Sequence, residues 1–218
     1  ANRQADEETR EQRWLKFVTY IAIVSGVIAS IFLDGFYLLA ILIAAIGMWE
    51  IIRRLSASSS RLFQLFVLGV YTVIALSFVY FSIGFGQSFL LFIYFQVFTF
   101  DGFSQIAGQL LGRQKLLPQI SPGKTVEGLI GGTLLCLMAA VLARNWVAFS
   151  MPKALLIGGT TALLAFTGDM LASYLKRQFH IKDYSNLLPG HGGFLDRFDS
   201  LMMVGIGYSL LSQIQPLQ

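Results

Sequence analysis

Of 218 residues, 55% are apolar and only 13% charged, and the mean hydropathy is +0.65. A soluble domain carries about 25% charged residues, so these proportions exclude one, and a single cysteine (Cys136) with two histidines excludes a disulfide framework, a clustered thiolate site and a histidine-rich metal site. The net charge of +4 does not imply a nucleic-acid partner, because in a membrane chain the placement of Lys and Arg matters more than their sum.

In chain order, the tail Ala1–Arg13 mixes Asp6, Glu7, Glu8 and Glu11 with three arginines and reads as an interfacial or frayed helix. Apolar runs long enough to cross a hydrocarbon core follow at Phe17–Leu33, Phe36–Ile52 and Leu62–Ser82. A fourth leads into Asp101. Since Phe89–Phe100 alone is too short, that helix either begins near Ile83 or runs past Asp101 toward Leu111. Further runs at Leu129–Ala143, Ala154–Leu171 and Ser200–Ile214 give an all-α, polytopic membrane protein of seven or eight transmembrane helices. No span is followed by a cleavage-site pattern, so a removed signal peptide is not expected. The pairs Gly108 and Gly112, and Gly128 and Gly132, predict close helix packing.

Basic residues divide unevenly between the alternate loops. Arg3, Arg10, Arg13 and Lys16, then Arg53, Arg54 and Arg61, then Arg113, Lys115 and Lys124, and finally Lys176, Arg177, Lys182 and Arg197 all fall on one side. Only Arg144 and Lys153 fall on the other, which predicts a cytoplasmic N-terminus and two long cytoplasmic loops, 108–128 and 173–199.

Outside the tail the acids are Asp34, Glu50, Asp101, Glu127, Asp169, Asp183, Asp196 and Asp199, and all but Asp34 map to that same side. Ionisable groups at a bilayer boundary are costly and tend to be functional. For Glu50, pairing with Arg53 and Arg54 at i+3 and i+4 is a sufficient local explanation. Asp169, inside LLAFTGDMLASYL, needs a partner, and on a helix it shares a face with Ser173 and Lys176. The densest stretch, Ser173–Asp199, adds Arg177, Lys182, Asp183, His191, Asp196 and Arg197. Its Pro-Gly-His-Gly-Gly run, with Gly192 and Gly193, offers backbone N–H groups to an anion. Carboxylates beside several cations are what a magnesium-bound polyphosphate requires. In the other loop, Gly123-Lys124-Thr125 imitates the end of a P-loop, but Pro118 stands where that motif needs glycine. Ser121-Pro122 and Glu127 suit a turn and helix cap, with Arg113 and Lys124 left for phosphate.

The run Ser173, Lys176-Arg177, Lys182-Asp183, Ser185, Pro189, His191-Gly192-Gly193, Asp196-Arg197 and Asp199 resembles the signature of the phosphatidate cytidylyltransferase (CDP-diacylglycerol synthase) family. Gly112-Arg113, Pro118, Ser121-Pro122, Lys124-Thr125 and Glu127-Gly128 are similar to that family's second motif, so the resemblance runs from about Asp101 to the end. It departs from the pattern at Gly123, where a second lysine is usual, and at Ser104-Gln105, where Ala-Tyr is usual; the N-terminal half is also short.

The resemblance implies transfer of the cytidylyl group of CTP to phosphatidate, giving CDP-diacylglycerol and pyrophosphate at the cytoplasmic face of the cell (inner) membrane. It divides the chain into a tail (1–16), N-terminal transmembrane helices (17–100) and a C-terminal catalytic region (101–218). It implies Asp169, Asp196 and then Asp199 as ligands of magnesium, with potassium as a possible second ion. Asp169, Asp196, Asp199, Lys176 and Arg177 become the catalytic candidates. Arg113, Ser121, Lys124, Thr125, Ser173, Lys182, Asp183, His191, Gly192, Gly193 and Arg197 become the substrate-binding ones, with His191 either donating a hydrogen bond or shaping the loop. The lipid bilayer is the implied setting, and a homodimer is one assembly open to it. The competing readings are a CTP-using synthase of the CDP-archaeol type, a polyprenol kinase, and an ion-coupled transporter; the last favours midplane sites and inverted repeats, which the one-sided carboxylates do not match.

Overall fold

The computed structural model describes residues 2–55, 60–188 and 192–214, with side chains between residues 14 and 213 of those stretches. Seven α-helices are present among them: α1 (Asn2–Phe32), α2 (Phe36–Leu55), α3 (Arg61–Gly84), α4 (Gln87–Leu111), α5 (Val126–Ala143), α6 (Met151–Gln178) and α7 (Leu195–Ile214). The first six each contain a stretch long and apolar enough to cross a membrane, beginning at Trp14 in α1. The seventh carries Asp196, Arg197 and Asp199 in its first turns and is apolar beyond them. The protein is a polytopic helical membrane protein, as its apolar runs predict. The open choice for the fourth span falls to the longer option, since α4 continues unbroken through Asp101 to Leu111. Among the described residues six helices, not the expected seven or eight, are long and apolar enough to cross the membrane; α7 falls short because its charged first turns shorten its apolar stretch.

The helices are longer than the apolar runs because their polar ends remain helical. Each added residue gives another backbone hydrogen bond wherever side chains can be satisfied at the interface. Thus α5 starts at Val126 and α7 at Leu195, ahead of the hydrophobic onsets at Leu129 and Ser200. α4 and α5 are the most closely packed pair, as the glycine spacings predict. A Cβ on Gly132 would stand 2.7 Å from Ser104 Cβ and 2.9 Å from Phe100 O, and one on Gly128 would stand 2.7 Å from Ser104 O. At the end away from the long loops, Phe85 stacks on Phe89 at 4.8 Å, and Tyr208 on α7 bonds Thr160 and Thr161 on α6 at 2.8 Å each. Such hydrogen bonds link helices where packing alone has no hydrophobic drive.

One element was not foreseen. The loop between α4 and α5 folds into an antiparallel hairpin of β1 (Lys115–Leu117) and β2 (Ser121–Thr125). Ser121-Pro122 therefore lie in a strand, and the cap of α5 is Thr125, whose hydroxyl accepts from Gly128 N at 3.1 Å. Glu127 braces the hairpin, accepting from Arg113 N at 3.0 Å and Gln114 N at 3.3 Å.

Candidate active site

Both long loops lie at one end of the bundle, beside the C-terminal end of α2. Arg54 Nε donates to Tyr184 O at 2.7 Å, and Arg177 Nε donates to Ile120 O at 3.0 Å, so α2, the hairpin and the 173–199 region meet there. Asp34 lies at the other end, where it accepts from Gln87. Alternating helices account for this arrangement: four chain passages, the ends of α2, α4 and α6 and the start of α7, return to the same face.

The two motifs are joined by charge. Lys124 Nζ, from β2, lies 2.9 Å from Asp169 Oδ2 on α6. Burial works against the Lys124 ammonium, yet Asp169 first, then Asp101 and Asp199, outweigh it and hold its pKa above the ordinary lysine value. Lys124 thus faces carboxylates from three helices, α4, α6 and α7. Asp199 lies within reach of the charges of Asp169, Lys176 and Asp101. Asp101 receives Ser200 Oγ at 3.3 Å.

Asp196 is held differently. Its side chain is 1% exposed; Oδ1 accepts from Lys176 Nζ at 2.6 Å, while Oδ2 accepts from Tyr184 N at 3.0 Å and Gly193 N at 2.9 Å. A carboxylate offers about four acceptor positions, so one remains, on Oδ1. Lys176, buried, is the counter-ion of Asp196, and its charge also acts on Asp199.

The other candidates divide into those facing solvent and those that build the loop. Arg113, Lys182 and Arg197 are exposed and can meet phosphate. Arg177 instead ties carbonyls together, donating to Ile120 and Ile181 at 3.0 Å each. Ser173 and Thr125 are buried, and Ser121 is partly so. Gly192 has φ +81°, a conformation glycine adopts without steric cost, and a Cβ there would meet Asp183 at 2.9 Å. The N–H of Gly193 is directed to Asp196, so that glycine shapes the loop rather than offering a donor to an anion. His191 and Pro189 lie outside the described residues.

Two residues exceed their sequence-based reading. Glu50, expected to pair with Arg53 and Arg54, accepts instead from Ser185 Oγ, from Phe194 N at 2.8 Å and from Leu195 N at 2.7 Å. Arg53 lies over the Trp49 ring at 4.4 Å and Arg54 reaches Tyr184. Asp101, counted among the one-sided acids but not chosen as a site residue, joins the carboxylates around Lys124. Beside these groups, an apolar cavity of about 370 Å³ between α3, α6 and α7 is lined by Phe66, Val70, Ile74, Leu171 and Met203, and Asp199 borders it.

Residues 60–214 match the model of the cytidylyltransferase family. The chain belongs to the cytidylyltransferase family. Among its curated relatives, a phosphatidate cytidylyltransferase of Staphylococcus saprophyticus is 43% identical over 121 residues, which are 55% of this chain and 46% of that protein. Its counterpart in Staphylococcus haemolyticus is 42% identical over the same length. The chain spans about half the length of these staphylococcal relatives. A phosphatidate cytidylyltransferase of Rickettsia bellii is 32% identical over 209 residues, 91% of this chain and 90% of that protein. Both motif loops of this cytidylyltransferase-family chain fall within the matched residues, whereas Glu50 and Arg54 precede them.

Among the described residues no three His, Cys, Asp or Glu side chains are arranged to enclose a metal ion. Magnesium does not need such a cage, because it is usually held by one or two carboxylates together with substrate phosphates and water. The oxygen donors of Asp169 and Asp199, close enough to influence one another, suit that mode.

Proposed function

We propose that the chain transfers the cytidylyl group of CTP to phosphatidate, releasing pyrophosphate and forming CDP-diacylglycerol at the cytoplasmic face of the cell membrane. The observation that carries this reading is the contact of Lys124 with Asp169, which brings the two motif loops of a cytidylyltransferase-family chain into one cluster of carboxylates and cations. The names of the relatives support the choice of lipid substrate.

In the reaction, an oxygen of the lipid phosphate attacks the α-phosphorus of CTP in line and pyrophosphate leaves. No activated side-chain nucleophile is required; two anions must be brought together and their charge neutralised. Asp169 and Asp199 would hold magnesium, with the remaining acceptor position of Asp196 as a third, and the ion would supply charge neutralisation on the nucleotide phosphates. Lys124 stands beside those carboxylates, where its ammonium can pass from Asp169 to a phosphate oxygen. Exposed Arg113, Lys182 and Arg197 receive the outer phosphates. The apolar cavity bordered by Asp199 takes the acyl chains, leaving the lipid phosphate at the carboxylate cluster. Residues 101–218 are accordingly the catalytic region, and 17–100 the helices against which it is built.

The experiment is an assay of pyrophosphate release by protein purified in detergent, with CTP, phosphatidate and magnesium supplied together and each omitted in turn. Release that needs all three supports the reading; nucleoside diphosphate formation with a lipid alcohol would replace it with a kinase.

A further inference from the structure

Glu50 lies on α2, upstream of residue 60, where the family match begins, and its side chain is fully buried. A buried carboxylate at a membrane boundary is stable only with donors around it. Its donors all come from the far end of the sequence: Ser185 Oγ, Phe194 N and Leu195 N. The last two are among the first N–H groups of α7, which have no carbonyl partner within the helix and carry its positive dipole end. Glu50 therefore serves as the cap of α7 from another helix. A Cβ on Gly193 would stand 3.0 Å from Glu50 Oε1, so the loop backbone lies directly against the carboxylate.

Between α6 and α7 the described loop has only the isolated bridge Leu188–Gly192 as regular pairing, so side chains must fix its path. Asp196 holds Tyr184 N and Gly193 N from one side. Arg54, one turn after Glu50 on α2, holds Tyr184 O from the other. We propose that Glu50, with Arg54 as its second point, is a positioning residue for the nucleotide site, fixing residues 184–185 and 193–195 against α2 so that Lys182, Asp183 and the first turn of α7 face substrate in one register. This rests on the reading of the loop as the CTP site. It makes α2 a part of the active-site framework although it precedes the residues that match the family model.

The test compares Glu50→Gln with the parent chain in detergent, reading amide hydrogen exchange in the 192–195 segment together with kcat and KM for CTP per folded molecule. Glutamine keeps the size but turns an NH2 group toward a backbone donor. Exchange at Phe194 and Leu195 should rise about tenfold and KM for CTP by a similar factor, which is the scale of one hydrogen bond to a charged group. The kcat at saturating CTP should fall less than about threefold, and Arg54→Gln should change both readouts in the same direction by less. Unchanged exchange, or activity falling only in proportion to the folded fraction with KM constant, overturns the proposal. If Glu50→Gln does not fold, Ser185→Ala and Arg54→Gln, each removing one contact, carry the same readouts. A parent chain inactive with CTP and phosphatidate would refute the functional reading instead, and the exchange result would still decide whether Glu50 holds the loop.

Discussion

Replacing Asp196 by asparagine distinguishes a carboxylate that holds the site together from one that acts only on substrate. In the folded protein its side chain is 1% exposed and accepts from Lys176 Nζ at 2.6 Å and from two loop amides. Asparagine keeps the shape but leaves the Lys176 ammonium buried without its counter-ion, a loss typically of about 3–5 kcal/mol. One of the two oxygens also becomes an NH2 group facing a donor. For a chain of this length each kcal/mol displaces the melting temperature by about 2–4 °C, so thermal unfolding in detergent should shift down by about 10 °C. Adding Lys176→Met should recover part of that loss, because removing both charges removes the unpaired ion. Activity should be lost in both variants. If Asp196→Asn melts with the parent chain and loses only turnover, the ion pair is not the anchor described here, and the carboxylate acts on the metal and substrate alone.

Other consequences are sharp enough to measure. Lys124→Gln should lower kcat/KM at least about a hundredfold, since it removes a preorganised cation from the phosphate cluster. Because the Lys124 pKa is raised above the ordinary lysine value, its ion pair is fully present below about pH 10.4 and is lost only as pH rises through the still higher folded value; pH–rate profiles should show no loss from this group between about pH 7 and 9. Asp34→Asn should be nearly silent in both melting and turnover, within about 0.5 kcal/mol, because asparagine tolerates the φ of 54° there and can still accept from Gln87. Gly193→Ala should reduce both stability and activity, since its Cβ would stand 2.6 Å from Asp196 Oδ2, and circular dichroism melts with turnover would register it. In a background lacking Cys136, a cysteine at Gln119 should react with an impermeant thiol reagent only after cells are opened, and one at Asn145 from outside; the reverse pattern would invert the orientation.

The spans were legible because the apolar runs are long and the bilayer fixes their length, and the gathering of Asp169, Lys124 and Asp199 at one face followed from the alternation of loops. What hydropathy could not show was where helices end: Asp196, Arg197 and Asp199 break the apolar run, yet their backbone is helical, with Asp196 satisfied by Lys176 and loop amides, Asp199 accepting from Ser200 N, and Arg197 exposed to solvent. The hairpin at Lys115–Thr125 escaped because three- and five-residue strands carry little periodicity. Glu50 escaped for another reason. Two arginines in the next turn offered an adequate local partner, while its actual donors lie 135 to 145 positions away in sequence, a distance at which spacing is silent.

The most direct test of the central claim follows the phosphorus itself. Purified chain is given phosphatidate, magnesium and CTP radiolabelled at the α-phosphorus in one reaction and at the γ-phosphorus in another, and the lipid is then extracted. Cytidylyl transfer predicts α-label in the lipid fraction and γ-label only in released pyrophosphate. Label from the γ-position in lipid, with none from the α-position, would contradict the account.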